Sequence, residues 1–482
     1  MSHLLTNPAA LAALAIIALA IAAVAFVVLG KTYGKAAACL AFIMIGSGAW
    51  VWVAQAQQAS HKATLTYWCF AKDHYESYKA VLPEFEREHP GVTVDLQLVN
   101  LTALAPRMQS AMVAGIDVPD LFEIEVTQSA ALFRGPLKDI QLLDLTQRVH
   151  EPLPGGHGSL WDQVVQARFA PYTDQGHIFG IPHDVHPVQF AYRKDIFDKY
   201  HIDADSLTSW DKFIAAGHKL TIPGKQYMIE MADSDDSALE AMLYQRGGGY
   251  FDVNGKCVMD SDVDVQTMCW YVPLVTGPNK IADSVGLFSQ TETKAIEDGL
   301  MLCYICPDWR SHNFEQDVAY CKGKMGLMAV PRVTPNGRAT TTWGGTMLAI
   351  TKASKHPDLA WQLALFFYLD AQAVPARYEA TNILPPVKRF WTMPCFHQPS
   401  AYWSGQKAGE RYIALADQVP PHYSNTYLQD AHTQMSNAVI DCVHYYDTHG
   451  YPKSDDPVFV AYVRGRLKEA ADRVRQIINI DS

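Results

Sequence analysis

Thr64-Leu-Thr-Tyr-Trp-Cys-Phe70 is an alternating, aromatic-rich stretch that predicts a β-strand, and the pattern after it decides the fold. Residues 75–89 have helical spacing, and residues 92–98 again alternate like a strand. Residues 101–114 predict a second helix, and residues 119–125 predict a third strand. Strands and helices that alternate at this spacing predict an α/β fold with a parallel sheet and helices on both faces.

The same alternation of elements continues along the rest of the chain. Strand-like patterns return at residues 176–182, 188–192 and 346–350. Helical patterns occupy residues 210–220, 357–369 and 458–480. Because no repeat or low-complexity linker interrupts these patterns, residues 61–482 are expected to form one α/β domain of two lobes.

The amino-terminal sixty residues differ from the rest in composition. Residues 9–29 and residues 36–54 carry no charge, and each stretch is close to the roughly 20 apolar residues that cross a bilayer. Lys31 and Lys35 lie in the turn between them and are expected to be cytoplasmic. Residues 1–60 therefore predict a membrane anchor of two transmembrane helices, a hairpin that leaves the remaining chain outside.

A signal peptide is the alternative interpretation of the second apolar stretch. Lys31 and Lys35 would form its charged region, and Ala54-Gln55-Ala56 would be its cleavage site. Both interpretations place residues 61–482 on the extracytoplasmic side of the cytoplasmic membrane, in the periplasm or outside the cell.

Charge and motifs exclude several classes of function. The chain has 39 Lys and Arg against 50 Asp and Glu, a net charge of −11, and it has no basic run, so a nucleic-acid binder is not expected. No Gly-x-Ser-x-Gly elbow is present, and no other nucleophile motif supports an enzyme. No cofactor is predicted.

Metal and disulfide signals are weak. His183 and His186 have the spacing of two ligands, but Pro182 and Pro187 flank them and exclude the helix of a zinc protease, so no metal site is predicted. Eight cysteines follow residue 60, which leaves buried thiols or local disulfides open. The local pairs considered are Cys257 with Cys269, and Cys303 or Cys306 with Cys321.

Several short segments recur in an order and spacing that point to a known family. They include Thr66-Tyr-Trp68, Phe85-Glu-Arg-Glu-His-Pro-Gly91, Ala114-Gly-Ile-Asp-Val-Pro-Asp120, Gly176-His-Ile-Phe-Gly-Ile-Pro182, Lys322-Gly-Lys-Met-Gly326 and Gly344-Gly-Thr-Met-Leu-Ala-Ile350. Each segment alone is weak, but their order and spacing over about residues 64–390 are specific, and together they resemble the bacterial extracellular solute-binding proteins of carbohydrate ABC importers, the family that includes maltose-binding protein. Tyr192-Arg193 departs from the Tyr-Asn usual in relatives, and the double membrane segment departs from their usual cleaved signal or lipid anchor.

This resemblance implies a two-lobed periplasmic-binding-protein-like fold with a ligand cleft, here preceded by the transmembrane hairpin. The first lobe is expected at about residues 61–182 and 346–390, and the second at about 183–345 and 391–482. It implies a binding protein, not an enzyme, that captures a sugar or oligosaccharide and delivers it to ABC permease subunits driven by a cytoplasmic ATPase. A membrane-anchored sensor of the same fold, or a binder of a non-sugar solute, remains the alternative.

Loop-borne aromatic and polar side chains are the candidate ligand contacts under this resemblance. Sugars present C–H faces that stack on flat rings and hydroxyls that pair with polar groups. The aromatic candidates are Trp68, Phe70, Trp309 and Trp343. The polar candidates are Glu125, His183 and Asp184.

Overall fold

The computed structural model describes residues 63–153 and 156–481. The predicted membrane hairpin and the alternative signal peptide therefore lie outside the described residues. Among the residues that are described, no helix is both long and apolar enough to span a bilayer. Nearly all of them belong to one compact unit, Leu65–Gly91 with Leu96–Ser482.

Twelve strands and sixteen α-helices make up the described part of the chain. The strands are β1 Leu65–Cys69, β2 Val94–Leu98, β3 Leu121–Glu125, β4 Thr173–Asp174, β5 His177–Ile178, β6 Ile181–Pro182, β7 Val188–Arg193, β8 Tyr227–Glu230, β9 Ala282–Asp283, β10 Met301–Pro307, β11 Met325–Ala329 and β12 Thr346–Ile350. The first eight helices are α1 Lys72–Glu88, α2 Leu101–Ala114, α3 Val126–Ser129, α4 Thr146–His150, α5 Leu160–Gln163, α6 Lys194–Lys199, α7 Trp210–Leu220 and α8 Ser237–Arg246. The last eight are α9 Asp262–Val275, α10 Gln290–Asp298, α11 Asp308–Asp317, α12 Pro357–Leu369, α13 Ala373–Thr381, α14 Ala408–Ala416, α15 Leu428–Thr448 and α16 Pro457–Asp481.

The ends of several helices follow from local sequence. The Asn100 side chain accepts a hydrogen bond from the Thr102 amide and caps α2, which ends at Gly115 in the left-handed conformation. Pro357 is the first residue of α12, where its missing N–H costs nothing. The helices predicted at residues 101–114, 210–220 and 357–369 are confirmed with these bounds.

The first sheet has the strand order β2-β1-β3-β12-β6. Strands β1 and β3 pair in parallel, as predicted. The parallel sheet predicted from residues 64–125 is only part of this sheet, which is mixed because β12 runs antiparallel to both β3 and β6. Strand β12 returns from a distant part of the chain and does not follow a strand–helix–strand crossover, so the handedness rule for such crossovers does not fix its direction.

The second sheet has the strand order β11-β7-β10-β8-β9 and is also mixed. Strand β7 runs antiparallel to β10 and β11, whereas β8 pairs in parallel with β9 and β10. The first sheet draws its strands from residues 65–125, 181–182 and 346–350, and the second draws them from residues 188–329. The chain therefore passes between the two sheets at residues 183–187 and again at residues 330–345.

Each sheet has its own apolar core. Trp68, Phe122 and Met347 belong to the core of the first sheet. The second sheet has one core shared with α9, α15 and α16 and another that includes Tyr304 and Trp403. Separate cores produce the two α/β lobes that were predicted, and their boundaries along the chain stay predictions.

Of the two possibilities that the sequence leaves open, buried thiols or local disulfides, the described cysteines show thiols. All eight are free, and seven of them are buried. The Cys257 thiol faces the carbonyl of Ala471, and the Cys306 sulfur lies 3.5 Å from the Tyr412 hydroxyl. Burial raises the pKa of the Cys306 thiol to about 12, so this group stays protonated and unreactive.

Candidate functional site

Three aromatic rings from separate loops meet beside the second sheet. Trp309 is the second residue of α11, Trp343 precedes β12, and Phe288 lies in the loop before α10. Their ring centroids are 5.6 Å apart for Trp309 and Trp343, 5.8 Å for Phe288 and Trp309, and 6.2 Å for Phe288 and Trp343. The Trp309 indole donates a hydrogen bond to the Trp343 carbonyl at 3.3 Å. We call these three residues the aromatic cluster.

Phe288 is the member that the sequence interpretation missed. Phe288 is 60% exposed, and its backbone has a φ of 57°, which a bulky residue rarely adopts. Backbone strain of this kind clusters at binding sites, so the conformation supports a functional role for this loop. Phe288 lies in a loop that includes Gly286 and Ser289. Trp309 and Trp343 are predicted ligand contacts because they are aromatic residues on loops, and Phe288 meets the same condition.

A buried arginine supports the aromatic cluster. Arg310 lies between the carboxylates of Glu230, at 2.8 Å, and Glu292, and it donates to the Ile305 carbonyl at 2.7 Å. Its guanidinium lies 5.5 Å from the Trp343 ring centroid and 5.6 Å from that of Phe288. Burial lowers the pKa of Arg310, but the two carboxylates outweigh this effect and raise it overall. The arginine therefore stays charged and fixes the loops that carry the rings.

A cavity of about 780 Å³ opens beside Phe288. Arg310 lines it, together with polar side chains of α10 and α11 that include Gln290, Thr293 and Asn313. Its volume lies within the range of about 300–1,000 Å³ that is usual for small-molecule sites. Trp309 and Trp343 are not part of its wall, so the aromatic cluster contributes only the Phe288 ring to it.

A second group of polar side chains lies where α8 and α15 face each other. His432 contacts Asp236 at 2.8 Å, and Ser436 donates to the same carboxylate at 2.9 Å. Burial raises the pKa of Glu240 to about 7. Burial lowers the pKa of His432, but Glu240 and Asp236 raise it to about 9. Sequence alone gave no signal for this group, because about 190 residues separate its two helices.

Glu125 lies close enough to this polar group to interact with it. Its carboxylate caps α3 by accepting a hydrogen bond from the Thr127 amide at 2.8 Å. Burial raises its pKa, and His432 and Asp184 are among the charges that act on it. Glu125 belongs to the first sheet and His432 to a helix packed on the second, so polar groups of both lobes meet here.

Asp184 and His186 form a buried network where the chain crosses between the sheets. Asp184 accepts from Arg168 at 2.7 Å and from the Thr346 amide at 2.9 Å, and it lies 3.0 Å from His186. The other His186 nitrogen lies 2.6 Å from Asp308, at the start of α11. The network thus joins the crossing segment to both lobes.

The remaining predicted residues lie beside the first sheet. Trp68 is 1% exposed in the core of the first sheet, with the Arg107 guanidinium 3.9 Å from its ring centroid. Phe70 is half-buried and packs against the same core. His183 is buried next to His74. The structure thus unites Trp309 with Trp343, places Trp68 and Phe70 at the core of the first sheet, and leaves all seven ligand roles as predictions.

The His186 network predicts a pH-dependent stability. Burial lowers the pKa of His186, but Asp184 and Asp308 raise it to about 9. Because the folded state then holds the proton more tightly than the unfolded chain, this stabilisation is complete below about pH 6.5 and is lost as the pH rises through about 9. Its size is about 3 kcal/mol. Chemical unfolding of His186→Gln between pH 6 and 10 is expected to show a shallower decline than the parent protein.

A matched control comes from an exposed histidine. His177 lies 2.6 Å from Asp144, and the two side chains are 42% and 44% exposed. His177→Gln is expected to leave the pH dependence of unfolding unchanged, because exposed ion pairs contribute little. An unchanged slope in His186→Gln would contradict the prediction.

Comparison with known proteins now identifies the family. Residues 71–374 match the family described as bacterial extracellular solute-binding protein. An arabinooligosaccharide-binding protein of Bacillus subtilis is 25% identical over 310 residues, which cover 64% of this chain and 69% of that protein. A protein of the same name from Halalkalibacterium halodurans is 23% identical over 392 residues, 80% of this chain and 85% of that protein.

A solved structure shows the same fold. The sugar-binding protein MalE of Xanthomonas citri superposes with a TM-score of 0.66 at 17% identity, covering 86% of this chain and 99% of that one. The resemblance and the two-lobed fold inferred from the sequence are both confirmed. Since the family match extends over more than half of its length, the chain belongs to the bacterial extracellular solute-binding proteins and is a binding protein, not an enzyme.

Proposed function

We propose that this protein is the substrate-binding component of an ABC importer that captures an oligosaccharide outside the cytoplasmic membrane and delivers it to permease subunits driven by a cytoplasmic ATPase. The observation that carries the proposal is the aromatic cluster, in which Phe288, Trp309 and Trp343 present rings on loops. The two relatives named for arabinooligosaccharide binding support the ligand class.

The geometry offers the two kinds of contact that a sugar requires. The rings of the aromatic cluster would stack on apolar C–H faces, with Phe288 the most exposed of them. Polar groups such as Glu125 and His432 would pair with hydroxyls and leave a wrong stereoisomer with unpaired groups. Hinge motion at the crossing segments would bring the two lobes together on the ligand.

Calorimetry tests the proposal directly. The protein is titrated with a panel of arabino-, galacto- and malto-oligosaccharides, and we expect saturable binding of at least one without release of shorter products. Inert sugars together with saturable binding of a polyamine, phosphate or amino acid would overturn the ligand class.

Phe288→Ala is expected to weaken binding of the selected sugar about 10-fold, or about 1.4 kcal/mol, because one stacking surface is lost. Since the ring is mostly exposed, the free energy of unfolding should change little. Tyr320→Ala is the matched control, because Tyr320 is also exposed, at 68%, and lies outside the aromatic cluster. Equal affinities of Phe288→Ala and the parent protein would remove Phe288 from the site.

We also propose that residues 1–60 hold the binding domain at the membrane as a helical hairpin, near its permease. The support is the sequence alone: two uncharged stretches that flank Lys31 and Lys35. A tethered binder would have a raised effective concentration at the permease. Mass spectrometry of the mature amino terminus tests this, because a chain that starts at Gln57 would show that the segment is a cleaved signal.

A further inference from the structure

Three buried side chains beside the first sheet converge on one point. His74 lies in the first turn of α1, Glu123 lies in the middle of β3, and His183 directly follows β6. One possible ligand atom from each lies within 4.8 Å of the others. All three residues are less than 5% exposed, and none belongs to the aromatic cluster. We call them the His-Glu-His cluster.

The Glu123 carboxylate is already oriented by its neighbours. One oxygen accepts hydrogen bonds from the hydroxyls of Tyr78 and Tyr368, the latter at 3.2 Å. The other oxygen lies 2.9 Å from the His74 ring. Carboxylates that bind a metal are usually oriented in this way, by hydrogen-bond donors that do not themselves contact the metal. The second oxygen therefore points at the two imidazoles with a fixed geometry.

His183 has no hydrogen bond that would explain its burial. Neither of its ring nitrogens has a hydrogen-bond partner, and the closest carboxylate oxygen, on Asp184, lies 3.6 Å from Nδ1. Its ring packs against that of His74 with centroids 4.0 Å apart. A buried polar group without a partner destabilises the fold, and such a group in a native structure calls for an explanation. A metal cation bound through the lone pair of the His183 imidazole would explain why this buried ring has no hydrogen bond.

We propose that the His-Glu-His cluster binds one Zn²⁺ ion. Two imidazoles and one carboxylate are a ligand set that zinc uses, with water in the fourth position. The set has too few oxygens for calcium and no thiolate or thioether for a soft cation such as Cu(I). Bound zinc would tie α1 and β3 to the segment at residue 183, where the chain leaves the first sheet.

The sequence could not reveal this site from spacing. His183 and His186 have a ligand-like separation, but the structure directs His186 to Asp184 and Asp308 instead. The partners of His183 are His74 and Glu123, which lie 109 and 60 residues earlier in the chain. Only the packing of α1 on the first sheet brings them together.

The test uses the full chain, stripped of metal with a chelator and titrated with ZnCl₂. We expect one zinc per chain by elemental analysis, and the visible absorption of a four-coordinate site after Co²⁺ is substituted.

His183→Asn and Glu123→Gln should lose this binding. Tyr368→Phe should weaken it about 10- to 100-fold, because an outer-shell hydrogen bond to the ligand carboxylate is lost. His89→Asn, also adjacent to α1 but outside the cluster, should bind zinc like the parent protein.

Three results of these zinc titrations would overturn the proposal. A parent protein that takes up less than one zinc per chain, or a His183→Asn variant that keeps the parent affinity, overturns the proposal. Equal weakening in His89→Asn would place the zinc elsewhere and also overturn it. If the ligand variants fail to fold, the stoichiometry and Co²⁺ spectrum of the parent protein, together with Tyr368→Phe, decide the matter.

Discussion

Trp309→Ala is expected to weaken oligosaccharide binding about 30-fold, or about 2 kcal/mol, as large aromatic anchors at the centre of a site typically do. The substitution removes the ring that lies between Phe288 and the His186 network, 5.8 Å and 6.5 Å from the rings of those two residues. It also removes the hydrogen bond to the Trp343 carbonyl, which helps to hold the second ring in place. Titration calorimetry with the sugar found for the parent protein measures the change.

Two comparisons make this result specific. Trp309→Phe keeps an aromatic face without the indole N–H, so we expect it to recover most of the affinity. Trp161→Ala removes a half-buried tryptophan that stacks on Phe169 in the first lobe, and it should leave the affinity unchanged. If Trp309→Ala binds as tightly as the parent protein, the aromatic cluster is not the stacking surface and the ligand lies elsewhere in the cleft.

Most of the first lobe could be predicted from sequence because its pattern is local. The alternation at residues 64–70 and the helical spacing at residues 101–114 depend on neighbouring residues, and both elements are confirmed. The direction of β12 could not be predicted, since it depends on a pairing with β3 more than 200 residues away. Long-range pairing leaves no trace in hydrophobic periodicity.

The residues of the candidate site could be predicted only where the neighbouring sequence of a residue marked it as a loop-borne aromatic or polar group. Trp309 and Trp343 stand among Gly, Pro and charged residues, and the structure brings their rings to 5.6 Å. His432 and Glu240 had no such signal, because each lies on an ordinary helix and acquires its role from its partner. The same holds for His74 in α1. Sites built from helices that are distant in sequence require the fold before they can be recognised.

Asp184→Ala is expected to lower the free energy of unfolding by about 3–5 kcal/mol, the usual cost of removing one partner from a buried ion pair. The substitution leaves the Arg168 guanidinium buried without its carboxylate, although Thr342 and the Gly344 carbonyl still accept from it. It also removes the acceptor of the Thr346 amide at the start of β12. Denaturant unfolding at pH 7 measures the loss.

The same variant decides between the two roles of Asp184. The sequence predicts a ligand contact, whereas the structure gives this carboxylate three internal partners, Arg168, His186 and the Thr346 amide. A large loss of stability with retained sugar affinity would assign Asp184 to the crossing network. Unchanged stability with lost affinity would instead support the ligand role. Asp298→Ala is the control, because that carboxylate pairs with Lys294 in solvent, and exposed pairs contribute about 0–1 kcal/mol.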